Sequence, residues 1–430
     1  MGRPEVKLYR VIRRVPPPRM PARTICRPWV LPGGAHFRPT PTSADCLFEL
    51  RHVSNTARTS PAPGLHVGRN PGILRHSVNN GAETTRTNEG TPKLSIQSTP
   101  ITSPDKHHVA LADIHALVAD QMDDVNRLIS ARLRSDVVLI NQLAGHIIHN
   151  SGKRLRPITV LLSAGACNHK GDAHVPLAAI VEFIHTATLL HDDVVDNSDL
   201  RRGQPTANEI WGNQASVLVG DFLYSRSFEM MVEIGSMRVM EIMAETTNLI
   251  AEGEVMQLMN CHTPDLSEEQ YLETVRRKTA KLFESAAQLG AVVSNQSSAV
   301  ENAMAEYGLH LGAAFQFIDD VLDYSADSEQ TGKNIGDDLA EGKPTLPVIN
   351  ALTRATPVQR AVLTEAIERG GREYIDDVLA AIESTGSLAY TARRAREEAE
   401  LAQNSLAILP DTPYKQGLMD LAVFAVERSY

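Results

Sequence analysis

Residues 181–196 read VEFIHTATLLHDDVVD. The stretch up to Leu190 is mostly apolar and free of Gly and Pro, so it reads as a helix laid into a core. Three carboxylates then follow: Asp192, Asp193 and Asp196. Positions i and i+4 share a helix face, so Asp192 and Asp196 point the same way, with Asp193 about 100° round. Like charges at that spacing destabilise a helix unless something neutralises them. Two arginines, Arg201 and Arg202, come close behind. The same D-D-x-x-D spacing returns in FQFIDDVLDY, where Asp319, Asp320 and Asp323 follow the apolar LGAAFQFI. One such cluster is an ordinary solvated face. Two identical clusters, each ending an apolar helix, point to a shared ligand.

The helical period extends on both sides. VALADIHALVADQMDDVNRLISARL carries apolar residues at helical spacing, at Ile114, Leu117, Val118, Val125, Leu128 and Ile129. Short punctuators such as HNSGKRLRP, NHKGDAH, CHTPDLSEE and LPDTP separate later periodic runs. No convincing alternating β-branched run interrupts them. The reading from about residue 106 to 430 is all-α, a single large helical bundle of roughly 320 residues with about ten or more helices.

Residues 1–105 differ in texture. They hold 15 of the 24 prolines, with PPP at 16–18. A segment of that composition buries too little apolar surface to offset its ordering entropy, so disorder is expected. Its Arg-rich, acid-poor character allows a mitochondrial transit peptide as the alternative, although PPP opposes an amphipathic helix. Charge marks the same boundary: residues 1–100 carry a balance of +10 and the remainder −20. An acidic body repels nucleic acid, which excludes that class of partner. No apolar run reaches the length of a transmembrane helix. Cys26, Cys46, Cys167 and Cys261 are far apart with no C-x-x-C pair, so neither zinc nor a disulfide framework is suggested, and a reducing compartment is the default.

Carboxylates on facing helices suit Mg²⁺, which keeps several waters and takes one or two protein carboxylates plus substrate phosphate oxygens. Acidic metal ligands therefore imply a phosphorylated substrate, whose remaining charge needs Lys and Arg. Candidates are Lys153, Arg154 and Arg156 in GKRLRP, Arg201 and Arg202, Lys278 in RRKTAKLFE, and Lys333 and Lys343 in GKNIGDDLAEGKPTLP. Together they read as two phosphate subsites.

The ordered set GKRLRP, LLHDDVVD, DLRRG, GDFLYSRS, KTAKLFE, FQFIDDVLDY and GKNIGDDL resembles the trans-isoprenyl diphosphate synthases. The likeness runs from about Val109 to Tyr430 and is nearest to the bacterial octaprenyl-type enzymes. It implies an isoprenoid-synthase bundle with a central apolar tunnel. It also implies that isopentenyl diphosphate is condensed with an allylic diphosphate, such as farnesyl diphosphate, to make a quinone side chain. On the same basis, Asp192, Asp193, Asp196, Asp319 and Asp323 would hold several Mg²⁺ ions, with Asp320 acting through water. Arg201, Lys278, Lys333 and Lys343 would contact the allylic diphosphate; Lys153, Arg156, His185 and Arg202 would hold isopentenyl diphosphate. Thr279 and Gln316 would stabilise the developing carbocation through oxygen dipoles. The family also implies a homodimer, working in the bacterial cytoplasm and passing its product to the membrane.

Ala187 lies five residues before Asp192, roughly 7.5 Å deeper along the axis. Ala187 and Thr188 are small, so a long product is expected, with Met231 and Met243 as candidate floor residues. Other classes compete less well. An HD-type metal phosphohydrolase would use His191-Asp192 but leave 319–323 and the arginines unexplained. A non-catalytic partner subunit would be expected to lose aspartates. A terpene cyclase has no use for GKRLRP and Arg202, and a shorter-chain synthase remains open.

Overall fold

The computed structural model describes residues 110–149, 152–325 and 335–427, all within the unit Ser98–Tyr430. The expectations for residues 1–105 and for Lys333 lie outside the described residues. The fold is all-α. In chain order the helices are α1 (Leu111–Ala116), α2 (Ala119–Arg132), α3 (Val138–His149), α4 (Leu155–Ala166), α5 (His174–Val195), α6 (Ala207–Trp211), α7 (Asn213–Ile234), α8 (Met237–Asn260), α9 (Glu268–Val275), α10 (Lys281–Val293) and α11 (Ser298–Asp323). After the turn Asp337–Ala340 come Leu346–Arg354, Pro357–Arg369, Ile375–Thr385, Ser387–Ser405 and Pro413–Glu427. Local sequence starts them: Ser267 and Gln270 form a reciprocal capping box, Thr356 and Gln359 another, and the Ser236 and Ser297 hydroxyls cap α8 and α11.

Helix α5 is the axis of the bundle. Leu177 through Ile184 are all buried, so it is enclosed on every side rather than amphipathic. It packs on α4, α7 and α10, and α10 in turn packs on α11. The main core gathers Ile180, Ile184, Leu223, Met231, Met243 and Phe283. Among the described residues the only strands are Leu200–Arg201 and Gln204–Pro205, an antiparallel pair with Arg201 opposite Gln204. No helix among the described residues is long and apolar enough to cross a membrane.

Candidate active site

The C-terminal end of α5 presents the first acidic cluster. Asp192 and Asp196 lie on one face and are met by cations from other elements. The Lys343 Nζ is 2.9 Å from Asp196, and the Lys278 Nζ is 3.8 Å from Asp192. Burial raises the Asp192 pKa above its ordinary value in spite of Lys278. Burial opposes charge on Lys343, yet Asp196 and Glu341 hold its pKa above the ordinary lysine value. Asp193 turns elsewhere: it is buried, and Arg201 reaches its Oδ1 through Nε at 2.8 Å and Nη2 at 2.7 Å.

That pairing is built by the short hairpin. Its turn residues, Arg202 (φ +54°) and Gly203 (φ +72°), both take positive φ, the geometry that matches a two-residue turn to the strand twist. The hairpin returns Arg201 to Asp193 and lays the Arg202 guanidinium on Gly152. A Cβ at residue 152 would lie 2.4 Å from it, so the glycine is what lets the two basic segments meet.

Between α9 and α10 the chain makes one π turn, Arg276–Ala280. Such widened turns concentrate at functional sites because they re-aim side chains. Here the turn carries Lys278 and Thr279. The Lys278 ammonium donates to Glu254 at 2.5 Å and also to Gln257. Burial pushes the Glu254 carboxyl up to about 7. Sequence reasoning assigned no role to Glu254 or Gln257. Their i, i+3 spacing among the methionines of GEVMQLM was the available signal.

The second acidic cluster divides its labour. Asp320 is wholly buried and accepts from the Tyr271 hydroxyl, from Gln316 Nε2 at 2.9 Å and from the Leu346 N–H at 3.3 Å. Burial, with Asp338 nearby, raises its carboxyl above the ordinary value, and the three donors from Tyr271, Gln316 and Leu346 oppose that rise by favouring the charged form. The Gln316 Oε1 accepts the Thr279 hydroxyl at 2.9 Å. Asp323 accepts the Asp337 and Asp338 N–H groups at 3.1 and 3.4 Å, capping the turn that leads to Lys343. Asp319 is half-buried, and its charge reaches Arg156.

Behind Asp192 lies a basic wall. Arg154, at φ +53°, buries its guanidinium against Glu182 at 2.6 Å. Arg156 donates to His185 Nε2 at 3.1 Å and lies over the Phe283 ring at 4.4 Å. Burial lowers the Arg156 pKa to about 10. Burial first, then Arg156 and Arg202, hold the His185 imidazole well below its ordinary value, so the ring is neutral and accepts from Arg156. The Lys153 Nζ lies 5.4 Å from the centre of the Phe424 ring. Deeper along α5, Ala187 is fully buried in the same apolar cluster as Met231 and Met243. The Thr188 hydroxyl bonds its own helix at the His185 carbonyl, 2.8 Å away.

These residues fit a divalent cation. Burial raises the Asp192 and Glu254 carboxyls although Lys278 opposes the rise, so a further cation beside them would favour their charged forms. Among the described residues, no three His, Cys, Asp or Glu side chains form a ready cage. The donors on offer are carboxylate oxygens, the type a hard divalent ion takes alongside waters and phosphate oxygens. His191 is turned to α7, its Nε2 3.2 Å from the Val217 carbonyl and 3.5 Å from Asp221 Oδ1.

Acidic residues on the end of a buried helix, facing a wall of guanidinium and ammonium groups in an all-α bundle, define the isoprenoid-synthase class. The chain belongs to the polyprenyl synthetase family, whose pattern matches residues 137–384. It is 53% identical to octaprenyl diphosphate synthase of Escherichia coli (strain K12), over 74% of this chain and 99% of that one. It is 44% identical to a geranyl-diphosphate-specific all-trans-nonaprenyl-diphosphate synthase of Rhodobacter capsulatus, over 74% of this chain and 97% of that one. A polyprenyl synthase of Caulobacter crescentus CB15, crystallised with calcium and isoprenyl diphosphate, superimposes with a TM-score of 0.73. The two chains are 46% identical, covering 76% of this chain and 99% of that one.

Proposed function

We propose that this polyprenyl diphosphate synthase extends farnesyl diphosphate with successive isopentenyl diphosphate units to octaprenyl diphosphate, the precursor of a quinone side chain. The reading rests on one observation above others: Asp192 and Asp196 share a face opposed by Lys278 and Lys343, beside a separate basic group in which Arg156 meets His185 and the exposed Arg202 adds its charge. One face suits a metal-bridged diphosphate and the other a bare one. Similarity to octaprenyl diphosphate synthases at 50–53% identity supports the product length.

We assign direct metal contact to Asp192, Asp196 and Asp319. Asp193 and Asp323 support them, since their carboxylates are engaged by Arg201 and by backbone N–H groups. When bound, Mg²⁺ neutralises charge developing on the departing diphosphate. Lys278, Lys343 and Arg201, joined by Lys333, grip that same group. Lys153, Arg156, Arg202 and neutral His185 hold isopentenyl diphosphate, with its alkene toward the forming cation. Thr279 and Gln316 present oxygens to that cation, and the apolar wall from Ala187 inward excludes water that would quench it. Met231 and Met243 form the floor. The exposed Val217, Leu218 and Val232 of α7 support assembly as a homodimer.

The test is direct. The purified chain, incubated with farnesyl diphosphate, isopentenyl diphosphate and Mg²⁺, yields a product of eight isoprene units by mass spectrometry. A product of four units or fewer makes it a short-chain synthase. No condensation by the chain alone makes it a partner subunit.

A further inference from the structure

Four side chains from three segments form one hydrogen-bonded line, buried at Tyr271 and Asp320 and half-buried at Gln316 and Thr279. We propose that Asp320 is a positioning residue, which fixes the orientation of the Gln316 amide and through it the Thr279 hydroxyl. The inference rests on the reading of Gln316 and Thr279 as the cation-facing pair.

The argument is one of donors and acceptors. Gln316 has one acceptor oxygen and one donor nitrogen, and either could face inward. Three donors converge on Asp320: the Tyr271 hydroxyl and the Leu346 N–H on Oδ2, and Gln316 Nε2 on Oδ1. An oxygen of Gln316 turned to that carboxyl would face another acceptor, so the amide nitrogen is held inward. Gln316 Oε1 then faces outward and takes the only proton of Thr279. Both oxygens are left with lone pairs and no proton to offer, the polarity a carbocation needs and the reverse of what a flipped amide presents. Asp320 is wholly buried and engaged on both oxygens, a poor arrangement for a ligand exchanging with solvent-borne metal. Tyr271, itself buried against Phe317, holds the far end of the line.

The isosteric Asp320→Asn inverts the line. Its amide oxygen takes the place facing Tyr271 and Leu346, so its NH₂ faces Gln316 and turns the Gln316 NH₂ toward Thr279. The single-turnover rate of one condensation, measured with enzyme in excess over farnesyl diphosphate, falls about 100-fold. KM for both diphosphates and the half-saturating Mg²⁺ concentration stay as in the wild type. Adding Gln316→Glu to Asp320→Asn restores an outward acceptor with the original total charge, and recovers most of the lost rate. If Asp320→Asn alone does not fold, the double variant is compared directly with the wild type, and near-normal rate and Mg²⁺ requirement support the inference. A raised Mg²⁺ requirement, or no recovery in the double variant, overturns the positioning role while leaving Gln316 in place. Gln316→Leu separates the two readings: an unchanged rate removes the cation-facing role and the positioning role together.

Discussion

Replacing Glu182 by leucine strips the Arg154 guanidinium of its counter-charge in a place where water cannot take over. The two side chains are 9% and 8% exposed and meet at 2.6 Å. Breaking such a buried pair from one side costs about 3–5 kcal/mol, because an uncompensated charge is left inside. Arg154 also sits at φ +53°, a left-handed conformation that costs about 1–2 kcal/mol and needs tertiary contacts to hold it. Urea unfolding followed by far-UV circular dichroism therefore shows Glu182→Leu destabilised by about 3–5 kcal/mol. The double variant Arg154→Met with Glu182→Leu, which removes both charges, returns to within about 1–2 kcal/mol of the wild type. Function follows the same geometry, since Arg154 fixes the turn between Lys153 and Arg156. Under conditions where Glu182→Leu is folded, KM for isopentenyl diphosphate rises more than KM for the allylic substrate. A single variant as stable as the wild type, or a double variant no better than the single, refutes the account of the pair as a buried clamp.

Three further outcomes test other parts of the site. Ala187→Tyr places a ring at a fully buried position one and a half turns below Asp192, and shortens the product toward farnesyl or geranylgeranyl diphosphate; an unchanged product spectrum by mass spectrometry means the chain grows elsewhere. Asp192→Ala abolishes turnover while the unfolding curve stays near that of the wild type, and near-normal rates rule out its metal role. His185 titrates near 6.5 when unfolded but well below that in the fold, so below pH 6.5 the unfolded chain binds a proton that the native chain does not. Stability contributed by the neutral ring is thus present above pH 6.5 and lost as pH falls, by at most about 1.4 kcal/mol per unit. Urea midpoints at about pH 7 and pH 5 show this slope. His185→Asn flattens it, and an equally steep slope in the variant means another group is responsible.

Much of this protein is written locally. Apolar residues at helical spacing and capping residues such as Ser267 and Gln270 act within a turn or two, so the all-α class was legible along the chain. The paired D-D-x-x-D clusters were legible too, because residues four apart share a helix face wherever the helix goes. What each aspartate does was not. Asp193 and Asp320 carry the same motif letter as Asp192 and Asp319, yet one is clamped by Arg201 and the other by Tyr271, Gln316 and Leu346. Gln316 is a helix-turn neighbour of Asp320, but Arg201, Leu346 and Tyr271 come from 8, 26 and 49 residues away in the chain, and no local pattern states which carboxylate will meet them. The roles of Glu254 and Gln257 were hidden for the same reason: they face Lys278 only because a π turn re-aims it. Sequence alone determined the helices and the charges available; tertiary packing decided which charges are buried, paired or presented, since burial and distance set their energies.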